Sequence, residues 1–270
     1  RRQRQMCIRD RDFHFKINYT TMSWRLKKQL IYGFIFLILL AIFITGLIFI
    51  FKPKPTCFDN KQNQGETGID CGGPCLPCEL VNLNLIIEKP KLIIYSDNTL
   101  DIVAKIKNPS EKYGLKKFSY KFIIRGDGVF AEIPGESFIF PLETKYLLVV
   151  NKKVPNFEIK SIDLNIDFNK NDWVETEKKE TKVEMLNYQI DQNKLQVEII
   201  NNDSLPYSNI EINFLLLDIF ENIIATAKTK VDYLEPLERR MITLNLPPVG
   251  SEVNRVIIVP YYNFFEENEN

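Results

Sequence analysis

The sequence predicts a mainly β protein held by one N-terminal transmembrane helix, with a small disulfide-rich module and then two tandem immunoglobulin-like β-sandwich domains. Three features carry that expectation. Residues 30–51 form an uncharged apolar run. Cys57, Cys71, Cys75 and Cys78 cluster within 22 residues just beyond it. From Leu80 onward, short β-rich runs alternate with turn residues, and the second half repeats the first at a spacing of about 94 residues.

The run at 30–51, LIYGFIFLILLAIFITGLIFIF, contains no Pro and no charge. At 1.5 Å per helical residue it spans roughly 33 Å, enough for a hydrocarbon core of about 30 Å. A cleaved signal peptide would have a shorter apolar region, about 7–15 residues, and a small-x-small site after it. Neither condition is met, and Lys54-Pro55-Thr56-Cys57 lacks the apolar residue of a lipoprotein box. The expectation is an uncleaved signal anchor. No GxxxG is present, so no helix dimer is implied.

Residues 1–11, RRQRQMCIRDR, resemble the in-frame translation of a sequencing-library adapter. They are set aside with Cys7, and residues 12–21 are expected to be leader, with Met22 as the natural start. Arg25, Lys27 and Lys28 then precede the span. Lys52 and Lys54 follow it, with Asp59, Glu66 and Asp70 further on. The balance predicts a cytoplasmic N-terminus and an extracytoplasmic remainder. Trp24 and Tyr32 lie where interfacial aromatics belong.

Between Cys57 and Cys78 the chain is rich in Gly and Asn and poor in apolar side chains, so it cannot build a core and needs covalent or metal staples. Outside the cell the four Cys form two disulfides in one of three connectivities. Asp59, Asn63, Glu66 and Asp70 offer hard oxygen donors, so a calcium loop competes with a purely structural knot; a four-thiolate zinc site fits the compartment poorly. The run is similar to an extracellular module of the form C-x-D-G-x-x-N-x-G-E-T-x-x-D-C-G-G-x-C-x-x-C, with Asn60 where Gly is usual. The resemblance implies a surface or secreted location.

Further on, Ile102/Ala104/Ile106 and Ile162/Leu164/Ile166/Phe168 alternate with polar residues, the period of a half-buried strand. No sustained helical period follows Glu79. LDIVAKIKN at 100–108 matches NKLQVEIIN at 193–201, Pro141-Leu142-Glu143 matches Pro236-Leu237-Glu238, and Phe118/Tyr120/Phe122 matches Ile210/Ile212/Phe214. Such a steady offset indicates duplication of one unit of sandwich size. The second copy resembles the FxLYD family of bacterial extracytoplasmic β-sandwiches, through Phe214-Leu215-Leu216-Leu217-Asp218 with Leu in place of Tyr. The first copy departs further. The resemblance implies a binding or scaffold module and brings no catalytic residues.

The expected organisation is therefore residues 1–21 artefact and leader, 22–29 cytoplasmic, 30–51 anchor, 52–79 Cys-rich stalk, 80–172 and 173–263 sandwiches, and 264–270 an acidic tail. Lys and Arg balance Asp and Glu at 35 each, with no basic patch beyond the span, so nucleic acid is not an expected partner. The sole His is His14, so the large C-terminal part lacks the commonest general base. Arg125-Gly126-Asp127-Gly128 reads as a hairpin turn rather than an adhesion motif. Tyr261 and Tyr262 are expected to finish the last strand, although they and Phe264-Phe265 could form an exposed aromatic patch. The expected function is a non-enzymatic, membrane-anchored protein presenting its domains to a protein or envelope partner. A structural subunit of an envelope assembly is the alternative, and a carboxylate-only glycan enzyme is third.

Overall fold

The computed structural model of the protein describes residues 23–51 and 56–266. The expectations for residues 1–22, for the Lys-Pro spacer at 52–55 and for 267–270 lie outside the described residues. The chain divides into two compact units, Arg1–Thr56 and Cys57–Asn270, and each is described on its own.

In the first unit, helix α1 runs from Trp24 to Phe51. It starts earlier than the apolar run, so Arg25, Lys27 and Lys28 form its opening turns, and the Lys28 ammonium lies 3.7 Å from the Trp24 ring centroid. The segment Trp24–Ile48 has a mean hydropathy of 2.8 and buries none of its surface against protein. Its described large apolar side chains are exposed all around the helix, which is the pattern of a segment solvated by lipid rather than by a core. The helix fits a single-pass membrane anchor.

The second unit is built of antiparallel sheets. After the cysteine module and a one-turn helix α2 (Cys78–Val81), β1 (Ile86–Ile87) and β2 (Lys91–Ile94) pair along one edge of β3 (Thr99–Lys107). β6 (Thr144–Lys153) pairs along the other edge. Facing this sheet, β5 (Phe130–Ile139) and β7 (Ser161–Asp167) flank β4 (Tyr113–Arg125). Leu100, Ile102, Ala104 and Ile106 of β3 meet Leu115, Phe118, Phe122 and Ile124 of β4 between the layers. The second sandwich repeats this order. β9 (Val183–Asp191) and β13 (Arg239–Asn245) flank β10 (Lys194–Asn201). Opposite them, β12 (Ile223–Leu234) and β14 (Arg255–Tyr261) flank β11 (Tyr207–Leu217). Leu195, Val197 and Ile199 pack on Ile210, Ile212, Phe214 and Leu216.

The matched sequence landmarks form the same latch twice. Asn108 and Asn201 are fully buried, and each side-chain amide donates to backbone carbonyls across the sandwich: Asn108 to Tyr113 and Phe140, Asn201 to Leu205, Leu234 and Glu235. In each Pro-Leu-Glu turn the Leu takes a left-handed φ, +57° at Leu142 and +58° at Leu237. The Glu carboxylate then accepts the backbone N–H three residues earlier, Phe140 to Glu143 and Glu235 to Glu238. The Glu supplies the acceptor for an N–H that the turn's backbone leaves unmet.

Two expected boundaries move. β8 (Trp173–Glu175) still pairs with β4, and the Trp173 side chain is buried in the first core, so the first sandwich runs past residue 172. Phe264 and Phe265 are packed residues rather than the start of the acidic tail. Phe265 is buried and stacks on Phe140 at 4.3 Å, and Phe264 packs edge-on against Tyr262 and Tyr207. Tyr261 and Tyr262 are buried too, so this aromatic run is internal packing rather than an exposed patch.

Candidate functional site

The expected site residues all fall in the cysteine module. Cys57 pairs with Cys75 and Cys71 with Cys78, a crossed connectivity that encloses nearly the whole segment. In the chain-entropy account, closing the longer loop stabilises by roughly 3 kcal/mol. The glycines of the motif have steric work here. A Cβ on Gly73, at φ +60°, would lie 2.5 Å from the Gly65 carbonyl oxygen, and Gly72, at φ +78°, abuts Thr67. Asn60, the position where the similar module usually has Gly, sits at φ +57°, a conformation that Asn tolerates.

The four oxygen donors are brought together, though not equivalently. The Asp70 carboxylate accepts the backbone N–H groups of Asp59 and Asn60, which clamps the two ends of the first loop. Asp59 accepts from the Lys61 N–H and from the Asn63 side-chain amide. Glu66 is buried, at 6% exposure, and its Oε2 accepts the Asn63 N–H at 3.2 Å. Its Oε1 lies 3.1 Å from Cys75 Sγ, a disulfide sulfur with no proton to donate. Cys57, Cys75 and Glu66 converge within 4.8 Å, but both sulfurs are spent on the disulfide and cannot ligate a metal as thiolates.

A second region, which the sequence reading missed, joins the sandwiches. The outer face of the β3 sheet packs on the outer face of the β11 sheet, so the four sheets stack as consecutive layers. Val103 and Leu148 from the first sandwich meet Leu215 and Leu217 from the second, with Ile93, Tyr146, Ile223 and Ile257 around them. The available signal was a lapse of alternation, in Ile102–Ala104 and Phe214–Leu217, which are apolar throughout. Leu100–Ala104 and Phe214–Leu217 are buried at every residue, whereas a strand covered on one face alternates.

Polar groups pin this seam. Asp101 is fully buried and accepts from the Tyr95 hydroxyl at 2.6 Å, the Thr226 hydroxyl at 2.7 Å, the Thr226 N–H and the Asn151 N–H. Tyr95 itself packs into the core of the second sandwich, and burial, reinforced by Asp101, pushes its hydroxyl pKa far up. The Tyr146 N–H donates to the Tyr261 hydroxyl at 2.7 Å, and the Asn213 amide donates to the Tyr146 carbonyl. Lys145 is almost wholly buried; its amine donates to the Phe138 carbonyl and lies over the Phe138 and Tyr261 rings. Burial lowers its pKa to about 8, against the opposing pull of Glu143 and Glu211.

A third feature is the β11–β12 turn. Asp218 accepts from the N–H groups of Phe220 and Asn222 and from the Asn222 amide, and these donors hold its carboxyl below the usual range. The turn is thereby fixed while Ile219 and Phe220 stand 68% and 77% exposed. The equivalent β4–β5 turn exposes Val129 and Phe130. Its Arg125-Gly126-Asp127 stretch is taken up in local pairing, Arg125 with Asp163 and Asp127 with Lys160.

No protein-family model matches the chain, and no curated protein matches it. Among solved structures, the crystal structure of red sea bream transglutaminase aligns over 68% of this chain and 29% of that one, at 10% identity and a TM-score of 0.20. The chain thus spans under a third of that protein's length, and so loose a superposition bears on neither fold nor activity.

Proposed function

We propose that the protein is a non-enzymatic, single-pass membrane protein whose stacked sandwiches form a rigid extracytoplasmic scaffold for a protein partner at the cell envelope. The pair of crossed disulfides directly after the apolar helix carries the topology, because such bonds persist in oxidising compartments and not in the cytosol. The binding role rests on the Asp218-wired turn, which holds Ile219 and Phe220 in water without a covering side chain's worth of burial. Preorganised apolar anchors lower the ordering cost of association.

The topology is tested on membranes of cells expressing the full chain. The expected result is resistance to carbonate extraction, with Cys57, Cys71, Cys75 and Cys78 protected from alkylation until reduced. Free thiols at these positions would overturn it. The docking role is tested separately with Phe220→Asp, which leaves the fold intact and is expected to abolish cross-linking from a photoreactive group placed at Ile219. Undiminished cross-linking would assign that turn no role.

A further inference from the structure

We propose that the turn Asn63–Glu66 is a calcium site that seals the Cys57–Cys75 disulfide. Two observations, separate from the acidity of the segment, point to a cation. The Asn63 Oδ1 atom is fully buried and has no hydrogen-bond partner among the described residues. Glu66 is more than nine-tenths buried, no cationic side chain pairs with it among the described residues, and its Oε1 faces only the aprotic Cys75 sulfur. A buried carboxylate oxygen and a buried amide oxygen without donors are both costly in an apolar setting, and a hard cation satisfies both at once.

The backbone brings the two residues together. Gln64 and Gly65 take φ of +55° and +85°, and the Glu66 N–H donates to the Asn63 carbonyl at 2.9 Å. In such a tight turn the side chains of the first and last residues leave on one face, with Cβ atoms about 5 Å apart. The Asn63 amide nitrogen donates to Asp59 Oδ2 at 2.9 Å, which leaves Oδ1 as the amide atom without a partner among the described residues. Asp70, whose oxygens are taken by backbone N–H groups, is the clamp of the loop rather than a ligand. Few protein ligands and a set of bound waters correspond to the weak extracellular class, with dissociation constants on the order of 0.1–1 mM.

The test uses the full oxidised chain in detergent. The rate at which each disulfide is reduced is followed by alkylation and mass spectrometry, in chelator or in millimolar calcium. Calcium is expected to slow reduction of Cys57–Cys75 by about 2–10-fold, the factor set by concentration over affinity. Glu66→Gln removes the calcium response, its reduction rate being the same in chelator and in calcium. Asn63→Asp keeps an oxygen ligand and is expected to reduce faster in chelator and to be rescued by calcium. An unchanged wild-type rate, an equal response in Glu66→Gln, or the same slowing by magnesium would each overturn the assignment. The reading is independent of membrane topology, since the alkylation pattern of cells and the calcium response of purified protein are separate measurements.

Discussion

The two sandwiches are copies of one design that bury opposite faces. In the first, the outer face of the β3 sheet is covered and that of the β4 sheet is free. In the second, the β10 sheet, equivalent to β3, is free and the β11 sheet is covered. Single aligned positions show the division. Val103 of β3 is buried in the seam, while its counterpart Gln196 is exposed. Leu217 of β11 is buried there, while its counterpart Arg125 is exposed and paired with Asp163 at 3.0 Å. A contact between different faces of like units is head-to-tail, and such contacts propagate unless the terminal faces are blocked. On the first sandwich the free face carries cross-strand ion pairs, Lys117 with Glu136, Lys121 with Glu132 and Arg125 with Asp163. Their worth lies in keeping that face wet, since exposed pairs stabilise little.

The largest expected effect comes from giving the second copy the residue of the first. Leu217→Arg places an unpaired guanidinium in a site that is 5% exposed, and it is expected to cost about 3–5 kcal/mol in chemical denaturation. A midpoint equal to the wild type would mean that the sheets do not pack on one another. Next, Asp101→Ala orphans the Tyr95 hydroxyl and the Thr226 and Asn151 N–H groups. The expected loss is about 2–4 kcal/mol, and the unfolding transition should separate into two as the seam is released before the cores.

Lys145 gives a pH signature. Its amine falls from an ordinary 10.5 to about 8 on folding. Between those values the unfolded chain holds a proton that the folded chain lacks, so this group makes stability rise as pH increases across that window. Lys145→Met is expected to abolish the rise and to be neutral or stabilising at neutral pH; a rise that persists in the variant would assign it to another group. The smallest effect on stability, within about 0.5 kcal/mol, is expected from Arg125→Leu, which gives the first copy the residue of the second. Its consequence should be self-association, visible by sedimentation velocity. A strictly monomeric variant would show that the ion pairs do not guard that face.

Much of the architecture is legible in the sequence because it depends on local pattern. Alternation in Ile102/Ala104/Ile106 marks a strand with one buried face. The landmarks Asn108/Asn201 and Pro141-Leu142-Glu143/Pro236-Leu237-Glu238 repeat because they form a latch that each sandwich needs within itself. The seam was harder to see. Val103, Asp101 and Leu217 look like ordinary strand residues, and their role depends on a partner more than 100 residues away. Trp173 belongs to the first sandwich rather than the second for a similar reason, since it pairs with Leu115 of β4 across a long stretch of chain. In the cysteine module the residue types disclosed a chemistry of disulfides and oxygen donors, but not which oxygens are used. Asp70 and Glu66 are both acidic loop residues, and only the fold makes one a backbone clamp and leaves the other against a sulfur.

What this sequence determines by itself is what short-range physics can enforce: a helix too apolar for water, a segment too poor in apolar residues to fold without its disulfides, and strands whose period sets one face inward. The tertiary structure decided how two sandwiches of one design would differ. Once a second sheet covers β3 or β11, their outward residues exchange water for protein, so apolar Val103 and Leu217 gain there what polar Gln196 and Arg125 gain in solvent. That choice belongs to long-range packing, because the free energy of an outward strand residue is set by what lies across the interface and not by its neighbours in the chain.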